Sequence, residues 1–394
     1  MLGSFRRRGC TCKKKRCTCG SKWTYRYHII DPKTGKRKQK ETRGFDTKEE
    51  AEAEAKRILA ELQNGTYIEE KDITFNQFAE EWILIYEKSG KVKQSTLDIR
   101  KAKLKHLENF FGQIKLKEIT KLMYQQFLNE LAEKYARKTV ASAHEVGSMI
   151  FKKAVELEII SKDITEYAEI PRKMQTVDDL EKQEELPRYL EKDELKRFLE
   201  AAKYSIRPID YPAFLTLAYT GLRVGELCAL KWRDIDFDEQ TISITKTLYN
   251  RKNKSGAHEL QTPKTKSSRR IIDVDKSVLD VLDRHKNQQK IVSMDDREND
   301  FIFADENGQP ITTYYIWRRM VALLKEAGIK HHLSPHSLRH THTSLLAEAG
   351  VSLEVIQHRL GHQDDKITRS IYLHVTKPKK KEASQKFAEL MGGI

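Results

Sequence analysis

The chain has 394 residues, enough for roughly two to four domains that each bury a core. Lysine and arginine outnumber aspartate and glutamate 73 to 58, for a net charge of +15 and an isoelectric point near 9.3, which favours a polyanionic partner such as nucleic acid or an acidic membrane surface. No stretch approaches the ~18 apolar residues of a membrane span, and the N-terminus lacks the apolar core of a signal peptide, so integral-membrane and secreted classes are set aside and a cytoplasmic protein is predicted.

The charge is concentrated at the start. Residues 1–43 hold fifteen Lys/Arg and only Asp31 and Glu41 as acids, which is +13 of the +15. Ser4 to Arg8 is a candidate first strand, Trp23–Ile30 alternates as a strand does, Asp31-Pro-Lys-Thr-Gly35 reads as a turn, and Arg37–Arg43 returns as a further strand. Thr47 with Glu50 three residues on predicts a capped helix carrying Ala51, Ala55, Ile58, Leu59 and Leu62 along one stripe, ended by Asn64-Gly65. A small three-stranded sheet backed by one helix follows for residues 1–65. Inside it lies Cys10-Thr-Cys12-Lys-Lys-Lys-Arg-Cys17-Thr-Cys19, four soft ligands that could surround a structural Zn²⁺. The spacing is not the usual C-x-x-C pair, so redox-labile or merely exposed thiols stay as the alternative. Lys13, Lys14, Lys15 and Arg16 would offset the charge of a four-thiolate site.

From Thr74 the apolar period becomes helical. Phe75, Phe78, Ala79 and Trp82 share a face, and amphipathic stretches follow over Ser95–Phe111, Lys121–Tyr135 and Arg137–Leu157. Residues 70–168 are therefore read as an all-helical domain. Residues 169–188, with Pro171, Pro187 and the mixed-charge run Asp178–Glu185, read as a linker. A third domain, 189–385, opens with helices (Glu191–Ala202, Pro212–Ala218), passes through strands (Thr241–Leu248, Arg269–Val274), and returns to helices from Thr313, leaving a tail at 386–394. The fold class is multidomain α+β: a three-stranded sheet plus helix, an all-helical domain, and a mainly helical domain with a small antiparallel sheet.

The third domain carries an ordered set of cationic and nucleophilic positions. Arg223 stands in Thr220-Gly-Leu-Arg-Val-Gly-Glu-Leu227 at a helix junction, and Lys264 in Thr262-Pro-Lys-Thr-Lys266 on a turn between strand-like runs. His336 and Arg339 follow Ser334-Pro335, a helix start, and three-residue spacing lets imidazole and guanidinium converge on one anion. His362 lies in Leu360-Gly-His and Tyr372 in Thr368-Arg-Ser-Ile-Tyr-Leu-His-Val375. His331, His332, His340, His342 and His374 have ordinary helix-face spacing and are not read as a metal set.

The order Arg, Lys, His-x-x-Arg, Leu-Gly-His, Tyr, in these surroundings, resembles the tyrosine recombinases, also called the phage integrase family. The resemblance is close over 190–376 and looser over 70–168, which it reads as a core-binding domain; it reads 1–65 as an arm-type DNA-binding domain. It implies a site-specific recombinase, the integrase/excisionase of a phage or integrative mobile element, that cleaves and rejoins DNA through a 3′-phosphotyrosine on Tyr372. A tyrosine phenol, with an ordinary pKa of about 10, is a poor nucleophile at neutral pH; the resemblance gives His336 the role of base. Arg223 and Arg339 would clamp the non-bridging oxygens with planar forks, His362 would donate a further hydrogen bond, and Lys264 would protonate the departing 5′ oxygen, with Lys266 competing for that role. Glu226, three residues after Arg223, would orient that region. No metal or other cofactor is required for this chemistry.

The same resemblance sets the partners. Double-stranded DNA would be bound at core sites and at arm sites, the latter through a basic hairpin with Arg6, Arg7, Arg8, Lys22, Arg26, Lys36, Arg37, Lys38 and Lys40 on phosphates and Tyr25 or Tyr27 packing or reaching a base edge. A homotetrameric synapse is implied, with the apolar stripe Ala383, Phe387, Leu390–Met391 docking on a neighbouring protomer, along with an excisionase and a DNA-bending protein as accessory candidates and a bacterial, nucleoid-associated location. The competing readings are a Xer-like resolvase, a type IB topoisomerase-like enzyme, and a non-catalytic DNA-binding regulator.

Overall fold

The computed structural model describes residues 3–10, 12, 19–30, 35–64, 67, 72–90, 92–172, 189–250, 258–263, 268–292, 300–361, 366–375 and 391. The chain divides into two compact units, Met1–Lys173 and Met174–Ile394. Of the residues singled out above, Cys17, Lys264, Lys266, His362, Ala383, Phe387 and Leu390 lie outside the described ones.

The first unit begins with an antiparallel sheet, β1 (Ser4–Arg7), β2 (Trp23–Ile30) and β3 (Arg37–Glu41), in which β2 is central. The alternation of β2 turns Tyr25, Tyr27 and Ile29 onto Ala55 and Ile58 of α1 (Lys48–Gln63). That helix starts where the sequence predicts: Thr47 Oγ1 accepts from the Glu50 N–H at 3.2 Å, and Glu50 Oε2 accepts from the Thr47 N–H at 3.4 Å. Four helices follow, α2 (Phe75–Lys88), α3 (Gln94–Phe111), α4 (Lys121–Lys134) and α5 (Arg137–Glu156). They close around an aromatic core that includes Phe75, Phe78, Phe111, Tyr124, Phe127 and Phe151, all essentially fully buried.

The second unit contains α6 (Lys192–Lys203), α7 (Asp210–Thr220), α8 (Val224–Cys228), α9 (Lys276–Val292), α10 (Thr313–Glu326), α11 (Pro335–Glu348), α12 (Leu353–Leu360) and α13 (Lys366–Val375). Its strands form two small sheets. β4 (Ile235–Asp236), β5 (Thr241–Ile244) and β8 (Arg270–Asp273) make one, and β6 (Thr247–Asn250) with β7 (His258–Gln261) makes the other. The strand-like run from Thr241 is thus broken between Ile244 and Thr247, its two halves pairing with different partners.

The helix α11 runs through this unit with polar side chains inside: Arg339, His340, Thr341, His342, Thr343 and Ser344 are all buried. The hydroxyls of Thr341 and Thr343 tolerate this because they find backbone partners. Thr341 Oγ1 donates to the Ser337 carbonyl at 3.1 Å and accepts from the Leu190 N–H at 2.9 Å, and Thr343 Oγ1 donates to the Arg339 carbonyl at 3.0 Å. A buried ion pair serves the same unit: Asp210, 1% exposed, accepts from Arg319 of α10 at 2.7 Å.

Candidate active site

The site is built from chain segments that meet beside α11. Helix α7 ends at Gly221, whose φ of 62° is left-handed. A Cβ there would lie 2.6 Å from Leu360 Cδ2 and 2.8 Å from His342 Cδ2, so both conformation and contact require glycine. Two residues later the extended Arg223 caps the short helix α8. Glu226 folds back on it, accepting from the Arg223 N–H at 3.0 Å and from its guanidinium at 2.8 Å. The Arg223 side chain keeps 35% of its surface exposed while that of Glu226 keeps 3%.

A second guanidinium, from Arg270 on β8, closes the other side of the carboxylate. Its Nη2 donates to Glu226 Oε2 at 2.9 Å, its Nε to the Arg359 carbonyl at 2.8 Å and its Nη1 to the Ser268 carbonyl at 3.1 Å. Burial pushes the Glu226 carboxyl up, but the hydrogen bond and charge of Arg270, with the charge of Arg223, outweigh it and hold the group below the usual carboxylate range. Sequence reasoning missed Arg270. Its signal was its phase: it shares the buried side of β8 with Ile272, while Ile271 faces outward.

His336 and Arg339 stand one turn apart on α11, but in different surroundings. The His336 ring is exposed in the first turn and sits edge-on to His340, centroids 4.8 Å apart. Arg339 is 1% exposed. Its Nη1 donates to the Gly221 carbonyl at 2.6 Å and its Nη2 to the Leu360 carbonyl at 2.7 Å. One guanidinium therefore joins the segment that leads into Arg223 to the segment that leads into His362. Arg339 is enclosed, with two of its donors directed at main-chain carbonyls.

His342 extends the same seam. Its Nδ1 lies 2.9 Å from the Ala218 carbonyl, and its Nε2 accepts from Arg359 Nε at 3.2 Å, so the ring is neutral with the proton on Nδ1. Burial and the neighbouring Arg359 charge lower its pKa to about 3. Arg359 also donates to the Tyr219 carbonyl at 3.2 Å.

Gly361, with φ 69°, ends α12. Tyr372 sits on α13, half-buried, packed against the cluster of Ala347, Ile356 and Leu360. Leu360 thus belongs through its side chain to the cluster against which Tyr372 packs, and takes a hydrogen bond from Arg339 at its carbonyl. Arg223, Arg339 and Tyr372 are connected in this way through Gly221 and Leu360, with Glu226 and Arg270 behind Arg223.

In the N-terminal sheet, Arg6 makes a two-pronged contact with Glu41 at 2.9 and 2.6 Å, and Arg26 lies 3.6 Å from the same carboxylate. The Arg6 hydrogen bond, a second from Thr24 and the charge of Arg26 hold the Glu41 carboxyl at about 2. The Arg7 guanidinium covers the Trp23 ring at 4.7 Å, and Lys22 pairs with Asp46 at 2.9 Å. Arg8, Lys36, Arg37 and Lys38 are exposed and Lys40 is half-buried. Tyr25 and Tyr27 correct the base-edge expectation. At 1% and 8% exposure they are core residues, Tyr25 Oη accepting from the Gly3 N–H at 3.0 Å and Tyr27 Oη lying 2.7 Å from Tyr67 Oη. Cys10, Cys12 and Cys19 bring their sulfurs within 4.8 Å of one another. Among the described residues no helix is long and apolar enough to cross a membrane.

Three family models match this chain: the phage integrase family over residues 188–379, an arm DNA-binding domain over 13–62, and a phage integrase N-terminal SAM-like domain over 74–132. The integrase of Staphylococcus phage L54a is 31% identical over 353 residues, covering 85% of this chain and 98% of the relative. Among solved structures, the Tn1549 transposon integrase in complex with a circular intermediate DNA is 23% identical with a TM-score of 0.63, covering 79% of this chain and 99% of that one. A lambda integrase tetramer bound to a Holliday junction is 21% identical with a TM-score of 0.57, covering 89% and 92%.

Proposed function

The chain belongs to the phage integrase family and is a tyrosine-type site-specific DNA recombinase, and from that premise we propose that it integrates and excises a phage or other mobile element with Tyr372 as its nucleophile. The phenol oxygen of Tyr372 attacks the scissile phosphorus while its proton passes to His336. The bond from phosphorus to the 5′ oxygen breaks, and that oxygen takes a proton from Lys264, with Lys266 the competing donor. The product is a 3′-phosphotyrosine, and attack by the 5′-hydroxyl of another strand reverses the step and rejoins DNA with no nucleotide consumed. Negative charge in the transition state spreads over the non-bridging oxygens. Arg223 meets it directly, Arg339 contributes its charge from beneath, and His362 donates a hydrogen bond. Glu226 and Arg270 are positioning residues that hold Arg223.

The observation that carries this reading is the double hydrogen bond from Arg339 to the Gly221 and Leu360 carbonyls. It supports a common site for motif segments more than a hundred residues apart, because Leu360 also packs against the cluster on which Tyr372 rests. The arm sheet binds separate DNA sites through the exposed side chains of Arg8, Lys36, Arg37 and Lys38. The working assembly is a homotetramer on two duplexes, assisted by an excisionase and a DNA-bending protein in the bacterial cytoplasm.

A nicked suicide duplex from the element's junction tests the assignment. The native chain is expected to leave a covalent protein–DNA adduct, and Tyr372→Phe to leave none while retaining DNA binding. An adduct formed by the Phe variant identifies a different nucleophile and overturns the assignment.

A further inference from the structure

The cluster at the mouth of the first hairpin is not used by strand transfer. Cys10 follows β1 by three residues and Cys19 precedes β2 by four. The two strands pair up to Arg7 and Trp23, and the Arg8 N–H reaches the Lys22 carbonyl at 3.1 Å, so the chain on either side of the cysteines is already held in register. Gly9 (φ 74°) and Gly20 (φ 69°) then bend both strands through left-handed positions, with open space where a Cβ would lie. The bends bring Cys10 and Cys19 Sγ to 3.7 Å, with Cys12 Sγ inside the same 4.8 Å group.

That separation is too long for a bond between the sulfurs and fits thiols gathered around one ion. A disulfide needs about 2.05 Å between sulfurs. Tetrahedral thiolate coordination at zinc, with bonds of about 2.3 Å, sets neighbouring sulfurs about 3.8 Å apart. We infer that Cys10, Cys12 and Cys19 form a thiolate site for a structural Zn²⁺ that pins the mouth of the β1–β2 hairpin. The sequence fits the charge of such a site, since Lys13, Lys14, Lys15 and Arg16 stand between Cys12 and Cys19 in the chain. Zinc here is structural. It closes a loop that would otherwise have to be ordered by a three-stranded sheet with a small core.

The test is independent of recombination. Full-length protein purified under reducing, chelator-free conditions is expected to hold about one zinc per chain by atomic emission, released stoichiometrically when a mercurial titrates the thiols. Replacing zinc by Co²⁺ in the native chain is expected to give sulfur-to-cobalt charge-transfer absorption with tetrahedral ligand-field bands. The Cys10→Ser/Cys19→Ser double variant should lose the zinc. Cys228→Ser should keep it, because Cys228 is buried in the second unit and its thiol is pushed up to about 12. Less than about half an equivalent of zinc, both as purified and after incubation with zinc sulfate, overturns the site. So does a cobalt spectrum without thiolate bands, a measurement that stands even if the double variant fails to fold.

Discussion

Replacing Arg270 by leucine removes one of the two guanidinium groups that hold the Glu226 carboxylate, while keeping an apolar side chain on the inner side of β8. The side chains of the pair are 2% and 3% exposed, so surface screening does not soften the loss. Breaking a buried ion pair by deleting one partner costs roughly 3–5 kcal/mol. Arg223 remains on the carboxylate at 2.8 Å, which argues for the lower part of that range. The carbonyls of Arg359 and Ser268 lose a charged donor, which argues for the upper part. The expectation is about 4 kcal/mol, or a fall of about 8–16 °C in the melting of the unit that holds the site. The double variant Glu226→Met/Arg270→Leu should recover much of this, since an apolar pair leaves no charge stranded. The pH dependence carries its own sign. The folded Glu226 carboxyl is held below its ordinary value, so its stabilisation is present above the unfolded pKa of about 4.3 and is lost as pH falls through the folded value. The gap between native and Arg270→Leu chains should therefore narrow on acidification below about pH 4. A loss under about 1 kcal/mol at neutral pH, or a gap that widens in acid, refutes the argument.

His342 is lowered to about 3 in the folded chain, whereas an unfolded histidine protonates near 6.5, so unfolding takes up a proton between these values and stability falls as pH falls through that window, by up to ~1.4 kcal/mol per pH unit. Urea midpoints at pH 7, 6 and 5 should show this slope, and His342→Gln, which cannot titrate, should flatten it. Gly221→Ala forces a left-handed φ on alanine and drives its Cβ into Leu360 and His342, which should cost roughly 2–4 kcal/mol and reduce adduct formation more than DNA binding, as read on the suicide duplex and by gel shift. An alanine variant with native adduct yield would mean that the Gly221–Leu360 contact does not set the site.

The elements with strong periodicity were readable because burial obeys period. The Thr47–Glu50 capping pair and the stripe through Ala51, Ala55 and Ile58 appear in the structure as written in the chain. The aromatic face of α2 does the same. The break between Ile244 and Thr247 was not readable, because Ile242, Ile244 and Leu248 keep one phase across it and only strand pairing distinguishes the two sheets. Among the candidate site residues, the side chains with chemistry of their own were proposed from type and order. Arg270 was missed because an arginine on a short strand reads as surface unless its phase is compared with Ile272 and Val274, both buried. The tyrosines of β2 were ambiguous for the opposite reason, since an amphipathic ring suits either a core or a DNA groove. Burial of Tyr25 beneath α1 decides that only in three dimensions.

The enclosed state of Arg339 gives a physical reason why the separate motifs occur together in one chain. A guanidinium carries several donors in one plane, and here one from each terminal nitrogen ends on a main-chain carbonyl, one residue short of Leu222-Arg223 and two residues short of His362. A lysine, whose three donors radiate from one nitrogen, would have to bring that single atom within reach of both carbonyls. Gly221 is constrained by the same junction, because any side chain there would push Leu360 away and lengthen the bond that Arg339 makes to its carbonyl. His342 and Arg359 brace the junction one turn further along α11, by a contact that needs the ring neutral. The residues proposed to meet DNA and the residues that hold the backbone are therefore not separable sets. On the proposed mechanism the charge of Arg339 is available to the phosphate only while its carbonyl partners stay where Gly221, Leu360 and His342 hold them, so a substitution at a position with no chemistry of its own should lower strand cleavage by moving a cation.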